Sequence, residues 1–199
     1  MSNLCETLIK QAITADCENP IVRGLEPDGV IINRGDIDFA SCTVTGNVIS
    51  ALVLKTAKSG YPVYQMGSAP FTGTTVSLTT GTDKNKFQNQ VVIAVLDNGP
   101  DVAEKIIDGL ANGSFVVILR NRHKGTDGKA EYQVFGYYQG LVATAIENDK
   151  YSEDLDGGWL VTLQESNAPK SAMFFFVNSS AATETAYNSL IEPNTSVQH

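Results

Sequence analysis

The chain reads as a mainly β protein, an antiparallel β-sandwich or half-open barrel with one central flanking α-helix and short terminal helices. Three observations predict this. Apolar runs of strand length recur between Val91 and Leu163, separated by polar turns rich in Gly, Asn and Asp. Within that span only the segment from Pro100 to Asn112 switches to helical periodicity. Hydrophobic residues make up 42% of the 199 and charged residues 18%, the balance of a folded chain rather than a disordered one. The length suits a single domain, 1–199, with residues 1–20 as a helical extension, 21–177 as the β-sandwich and 178–199 as a C-terminal tail.

Leu4, Leu8, Ile9, Ala12 and Ile13 repeat at helical spacing and predict a short amphipathic helix from Asn3 to Ala15, ended by Cys17-Glu18-Asn19-Pro20. Turn signals fill Ile21 to Gly29, and Val30-Ile31-Ile32-Asn33 begins strand-like. Arg34-Gly35-Asp36 matches an integrin-binding tripeptide by letters, but without a secretion signal it is read as a turn. Ile37-Asp38-Phe39 alternates, and Asn47 to Lys55 is a fuller strand.

Residues 56–90, rich in Gly, Ser, Thr, Lys and Asn, are read as a long loop with one candidate strand at Thr75 to Thr79. A connection this long between two strong strands is usually functional: a lid, a flexible insertion, or an arm that orders on a neighbour. Tyr61, Tyr64, Met66 and Phe71 favour the arm, because a solvated linker has no use for such large apolar side chains.

After the strand Val91 to Leu96, Pro100 suits a first helical position, with Asn98 or Gly99 as the cap before it. Asp101 and Glu104 lie in the first turn, where the helix dipole favours negative charge. Val102, Ile106, Ile107 and Leu110 share one face, and Asn112-Gly113 is expected to supply a left-handed stop. A helix this short must bury its stripe on something else. Four runs follow: Ser114 to Arg120, Tyr132 to Tyr138, Leu141 to Ile146 and Trp159 to Leu163, with Asn121 to Lys129 as a long hairpin loop between the first two. They are read as one antiparallel sheet with the helix across it.

Ala172 to Val177 is the most apolar run. It suits a strand buried on both faces, or one that turns a face to another subunit. Phe174, Phe175 and Phe176 therefore join Tyr61, Tyr64, Met66 and Phe71 as subunit-interface candidates. Ala182, Ala186, Tyr187, Leu190 and Ile191 predict a last short helix before Pro193.

No chemistry concentrates anywhere, so neither catalytic residues, nor a metal site, nor a cofactor is expected. The histidines are His123, in a basic loop with Arg122 and Lys124, and the terminal His199; nucleotide-binding Gly-rich patterns are absent. Ser152, Asp154, Asp156 and Gly157 imitate the start of a calcium loop, but Leu163 stands where a bidentate Glu is required. A solvated turn is the better reading. The net charge of −8 excludes a protein that grips nucleic acid through Lys and Arg. No run reaches the ~20 apolar residues of a membrane helix. Cys5, Cys17 and Cys42 form no Cys-x-x-Cys pair and read as reduced, partly buried thiols of a cytosolic chain.

The order of elements carries a resemblance. The helix ending at Asn112-Gly113, the strand Phe115 to Leu119, the strand ending Val134-Phe135-Gly136-Tyr137, the step Gln139-Gly140-Leu141 and the acidic turn before Gly158-Trp159-Leu160-Val161-Thr162-Leu163 together resemble tail tube proteins of long-tailed bacteriophages and related contractile injection systems. The likeness covers Val91 to Leu163. It implies a β-sandwich or half-open barrel with one flanking helix and no catalytic residues. It further implies a homo-oligomer of hexameric rings, stacked into a tube through a long loop and the chain ends. The partners would be other copies and other tail proteins, with DNA only passing through the channel, no membrane, and a place in the virion tail after assembly in the bacterial cytoplasm. Residues 56–90 would be the arm between rings. The extended front, Asn3 to Asp36, departs from that pattern and keeps a tail terminator, connector or baseplate component as alternatives. From the residues alone, a ligand-binding or hydrolytic β-barrel with 56–90 as its lid also stands, as does a decoration module on a virion.

Overall fold

The computed structural model describes residues 9, 11–14, 16–64, 71–82 and 84–193, with the backbone alone at Phe71 and Thr72. The strands among these are β1 (Leu25–Asn33), β2 (Thr43–Thr45), β3 (Val48–Ala51), β4 (Tyr61–Tyr64), β5 (Phe71–Thr79), β6 (Lys86–Val95), β7 (Phe115–Asn121), β8 (Tyr132–Phe135), β9 (Val142–Asn148), β10 (Trp159–Ala168) and β11 (Met173–Phe175). Helix α1 joins Pro100–Val102, Ala103–Ile107 and Asp108–Asn112 without a break, and helix α2 is Ser180–Ser189. The mainly β class with one central helix is therefore as the sequence predicts.

The expectation of a single sheet across the central runs is corrected, because they divide between two. One sheet has the order β2-β3-β11-β8-β7-β1-β4 and the other β5-β6-β10-β9. Burial patterns explain the division. Phe115 to Leu119 on β7 are buried without interruption, which a strand achieves only when both its faces are covered. On β6 and β10 burial alternates, with Asn89, Val91, Ile93 and Val161, Leu163, Glu165 inward, so that sheet has one covered face. Pairing is antiparallel throughout except where β11 lies parallel to β3.

Two cores result. The first lies between the sheets and under α1, with Val91, Ile93, Val117, Leu119, Phe135, Val161 and Leu163 against Val102, Ile107 and Leu110. The second lies on the far face of the larger sheet, where Ile32, Ile49, Val116, Ile118, Val134 and Phe175 meet Tyr187 and Leu190 from the α2 end of the chain. The segment expected as a tail thus carries a covering layer. Ser179 caps α2 by accepting from the Ala182 N–H, and the Leu190 carbonyl accepts from Gly60 N at 2.7 Å.

Residues 56–90 are corrected from a long loop to mostly strand. Phe71–Thr79 pairs with β6 from Ile93 to Lys86, forming a hairpin, and Tyr61–Tyr64 pairs with β1. The expected strand at Thr75 to Thr79 is the second half of β5. The rest escaped notice because a strand with Thr and Ser on its exposed positions has no hydrophobic period to read. Residues 65–70 lie outside the described ones. Of the expected leading helix, residues 1–8, 10 and 15 lie outside the described ones, while Ile9 and residues 11–14 are not helical.

Helix α1 begins at Pro100 behind Gly99, as expected, but its middle is a wider π turn in which Asp108 N donates to the Ala103 carbonyl. The extra residue rotates the stripe. Val102, Ile107 and Leu110 are buried, whereas Ile106, placed inward by ideal helical spacing, is 43% exposed. The left-handed stop is also corrected, since Gly113 has φ −92° and ψ 174°, an extended conformation. Glycine is required there by space: a Cβ would strike the Phe115 ring and come within 2.9 Å of the Gly109 carbonyl. Gly113→Ala is expected to destabilise the fold by about 1–3 kcal/mol through overpacking, measurable as a lowered urea midpoint with an unchanged slope.

Candidate functional site

Each open sheet has two unpaired borders, here β2 and β4 on the larger sheet and β5 and β9 on the smaller. Unpaired strand borders invite another chain unless Pro, Lys, a bulge or brevity blunts them. β2 has three residues and β4 carries Pro62. β5 and β9 are longer and lack Pro and Lys; each carries a single bulge, between Phe71 and Gly73 on β5 and between Ala143 and Ala145 on β9. They also present apolar side chains to solvent: Val76 (42% exposed) and Leu78 (56%) on β5, and Val142 (46%) on β9. These two longer borders lie at opposite sides of one sheet. A copy bound at one therefore leaves the other free.

The sequence candidates are only partly brought to the surface. Tyr61 and Tyr64 are exposed on β4. Phe71 opens β5 opposite Ile93, and Met66 lies outside the described residues. Phe175 is corrected from an interface residue to a core one: it is 1% exposed, on a strand paired on both sides by β3 and β8. Phe174 and Phe176 are half-buried, the latter with Lys129 Nζ 6.0 Å from its ring centroid. The exposed positions of β5 and β9 were missed.

Beside β4 runs an apolar groove of about 570 Å³, lined by Ile31 of β1, Tyr61, Val63 and Tyr64 of β4, Ile93 and Val95 of β6, and Ile106, Gly109 and Leu110 of α1. The π turn that expels Ile106 from the core puts it here. Lys105, the charged residue of the lining, is paired with Asp101 at 2.6 Å. No family model, curated protein or solved structure matches the chain.

Two buried carboxylates hold the scaffold behind these surfaces. Glu165, at the inward end of β10, accepts from Asn89 Nδ2 (2.7 Å) and from the backbone N–H groups of Gly136 (3.2 Å), Tyr138 (3.0 Å) and Gln139 (2.7 Å). It pins the turn after β8, a strand of the larger sheet, onto the smaller sheet. The alternation Val161, Leu163 on one face of β10 extends to Glu165 and could have found it in the sequence.

Glu131 pairs with Arg120 at 2.9 Å and Lys124 at 3.1 Å, and accepts from Ser180 Oγ at the start of α2. Burial alone would raise its pKa, but the hydrogen bonds and charges of Lys124 and Arg120 outweigh burial and hold it below the ordinary value of 4.5. A depressed folded-state pKa stabilises the fold above the unfolded value, and that contribution is lost as pH falls through the folded one. Glu131→Gln is therefore expected to lower stability at neutral pH and to flatten its fall below pH 4.5, read from urea midpoints across a pH series. Nearby, burial pushes the Tyr132 phenol up to about 12, and burial raises Tyr187 as well.

The remaining sequence candidates are held by structure. Arg34 Nη2 donates to the Tyr138 carbonyl at 2.7 Å and its guanidinium lies 4.6 Å from the Phe39 ring centroid. Asp36 pairs with Lys58 at 3.2 Å, so the Arg-Gly-Asp tripeptide is tied into a 3-10 turn. The acidic turn closes on itself through Gly157 N to the Ser152 carbonyl and Gly158 N to the Leu155 carbonyl. Among the described residues, no His, Cys, Asp and Glu grouping could hold a metal ion, and no helix is long and apolar enough to cross a membrane. Cys42 is half-buried and its thiol donates to the Asp38 carbonyl, whereas Cys17 is exposed, contrary to the expected burial.

Proposed function

We propose that this chain is a non-enzymatic, self-assembling virion structural protein, a tail-tube-like subunit that closes into rings stacked around a channel for DNA. One observation carries the reading: the four-stranded sheet has two long borders without Pro or Lys, β5 and β9, on opposite sides, each with apolar side chains in solvent. When β9 of one copy pairs with β5 of the next, the sheet continues from subunit to subunit, and a contact between unlike surfaces closes as a ring or runs on as a filament. Hexameric closure follows from the resemblance noted in the sequence. The net charge of −8 favours a channel that phosphate does not adhere to.

A tail terminator, connector or baseplate component would share these contacts and differ in what the leading segment meets. The groove beside β4 favours a second reading, a ligand-binding barrel. Such sites fix their ligand with a few convergent polar groups. Asn33 and the ion-paired Lys105 are a poor set for that, and residues 71–79 form a paired strand instead of a lid. Negative-stain microscopy of the purified protein tests the assembly reading. Rings or short tubes are expected, and a compact monomer at high concentration would overturn it.

A further inference from the structure

Among the described residues, the groove between β4 and α1 is open to solvent and the segment before β1 is largely exposed. Residues 11–14 and 16–24 are nearly all exposed, and their aliphatic side chains are conspicuous: Ile13 is 90% exposed, Ile21 86% and Val22 52%. Apart from a local turn in which Asp16 accepts from Glu18 N and Asn19 N, the segment's firm attachment is at its end, where the Gly24 carbonyl accepts from Arg122 N. The groove, lined by Tyr61, Tyr64, Ile106 and Leu110, is apolar and open. We infer that the leading segment of a second copy lies in this groove, with Ile13 and Ile21 as its anchors.

Chemistry and geometry both favour a second copy. The aliphatic side chains Ile13, Ile21 and Val22, set apart by the polar stretch Asp16 to Asn19, suit a socket with one ion-paired charge, and every copy carries both parts, so plug and socket are always present in equal number. The segment leaves the fold beside Leu25 and Asn121, at one end of β1, whereas the groove is lined by Ile31 and Asn33 at the other end. Thirteen or so extended residues reach roughly 40 Å, enough to cross to a neighbour. In the single chain Ile13 and Ile21 lie in solvent, not in that chain's own groove. The exchange needs only two copies and does not rest on the tail-tube reading.

Gly109 provides the test, because it lines the groove and a Cβ added to it meets no atom within 4 Å. Gly109→Trp fills the socket without disturbing the core, and Gly109→Ala is its control. A fluorescein-labelled peptide of residues 11–24 is titrated with full-length I13D/I21D protein, whose own plug is disabled, and anisotropy is read. Saturable binding is expected, retained with G109A and weakened at least tenfold with G109W. No saturable binding, equal binding to G109W, or equal binding of a scrambled peptide would overturn the proposal. Wild-type protein that excludes the peptide equally at every dilution would place the segment in its own groove and overturn it too. Rings in the microscope without peptide binding would remove this inference alone, while peptide binding without rings would leave it standing.

Discussion

Glu165→Ala is expected to lower the free energy of unfolding by about 4 kcal/mol, from a loss of about 1–3 kcal/mol for each buried donor left without an acceptor. Four donors converge on this one side chain, which is 1% exposed, and two of them, Asn89 Nδ2 and Gly136 N, are buried with it, so that water does not replace the carboxylate there without opening the core. The three backbone donors sit in the tight passage from β8 to β9. There Gly136 has φ +83°, and a Cβ on it would meet the Phe115 carbonyl at 2.5 Å. Releasing that passage also loosens the bridge between Phe115 and Leu141. Glu165→Gln keeps the shape but turns an NH2 group toward donors, so most of the loss is expected to remain. Urea denaturation followed by the fluorescence of the single tryptophan, Trp159 on the same strand, measures both. A loss under about 1 kcal/mol for the alanine variant would show that the clamp is not needed.

Val76→Lys and Val142→Lys are each expected to abolish ring closure while leaving the monomer folded, since both side chains are exposed in the single chain. Each replaces an apolar contact worth about 1.5–3 kcal/mol when buried with an ammonium group that resists burial, and the loss recurs at every junction of a ring. The two variants are complementary. V76K keeps an intact β9 and V142K an intact β5, so an equimolar mixture is expected to sediment as a dimer, though neither associates alone. Sedimentation velocity on the separate and mixed proteins decides it. Dimers of either variant by itself, or no species in the mixture larger than a monomer, would reject pairing between β5 and β9.

What the sequence revealed depended on whether a segment's neighbours were local. Pro100 behind Gly99 and the apolar runs of β6, β7 and β10 could be read directly, whereas which faces of those runs are covered could not. Of β5 only the half from Thr75 to Thr79 could be read, since its partner β6 supplies the order that residues 71–74 do not announce. Ile106 was misplaced because a single π turn shifts the stripe by one residue without any signature in composition. Phe175 was misread for a related reason: a strand so apolar fits a subunit contact or a sheet interior equally well, and only its insertion between β3 and β8 decides. The groove beside β4 joins five elements from distant parts of the chain, β1, β4, β6, α1 and the start of β7, and was beyond reach.

The insertion of β11 bears on how the molecule is made. β2 and β3, built from residues 43–51, join the rest of their sheet only through a strand at residues 173–175. At roughly 5–20 residues per second of synthesis, the early hairpin waits several seconds for its neighbour to leave the ribosome. Until then the nascent polypeptide holds a gap in the middle of its larger sheet, and the early hairpin can dock only once residues 173–175 have emerged.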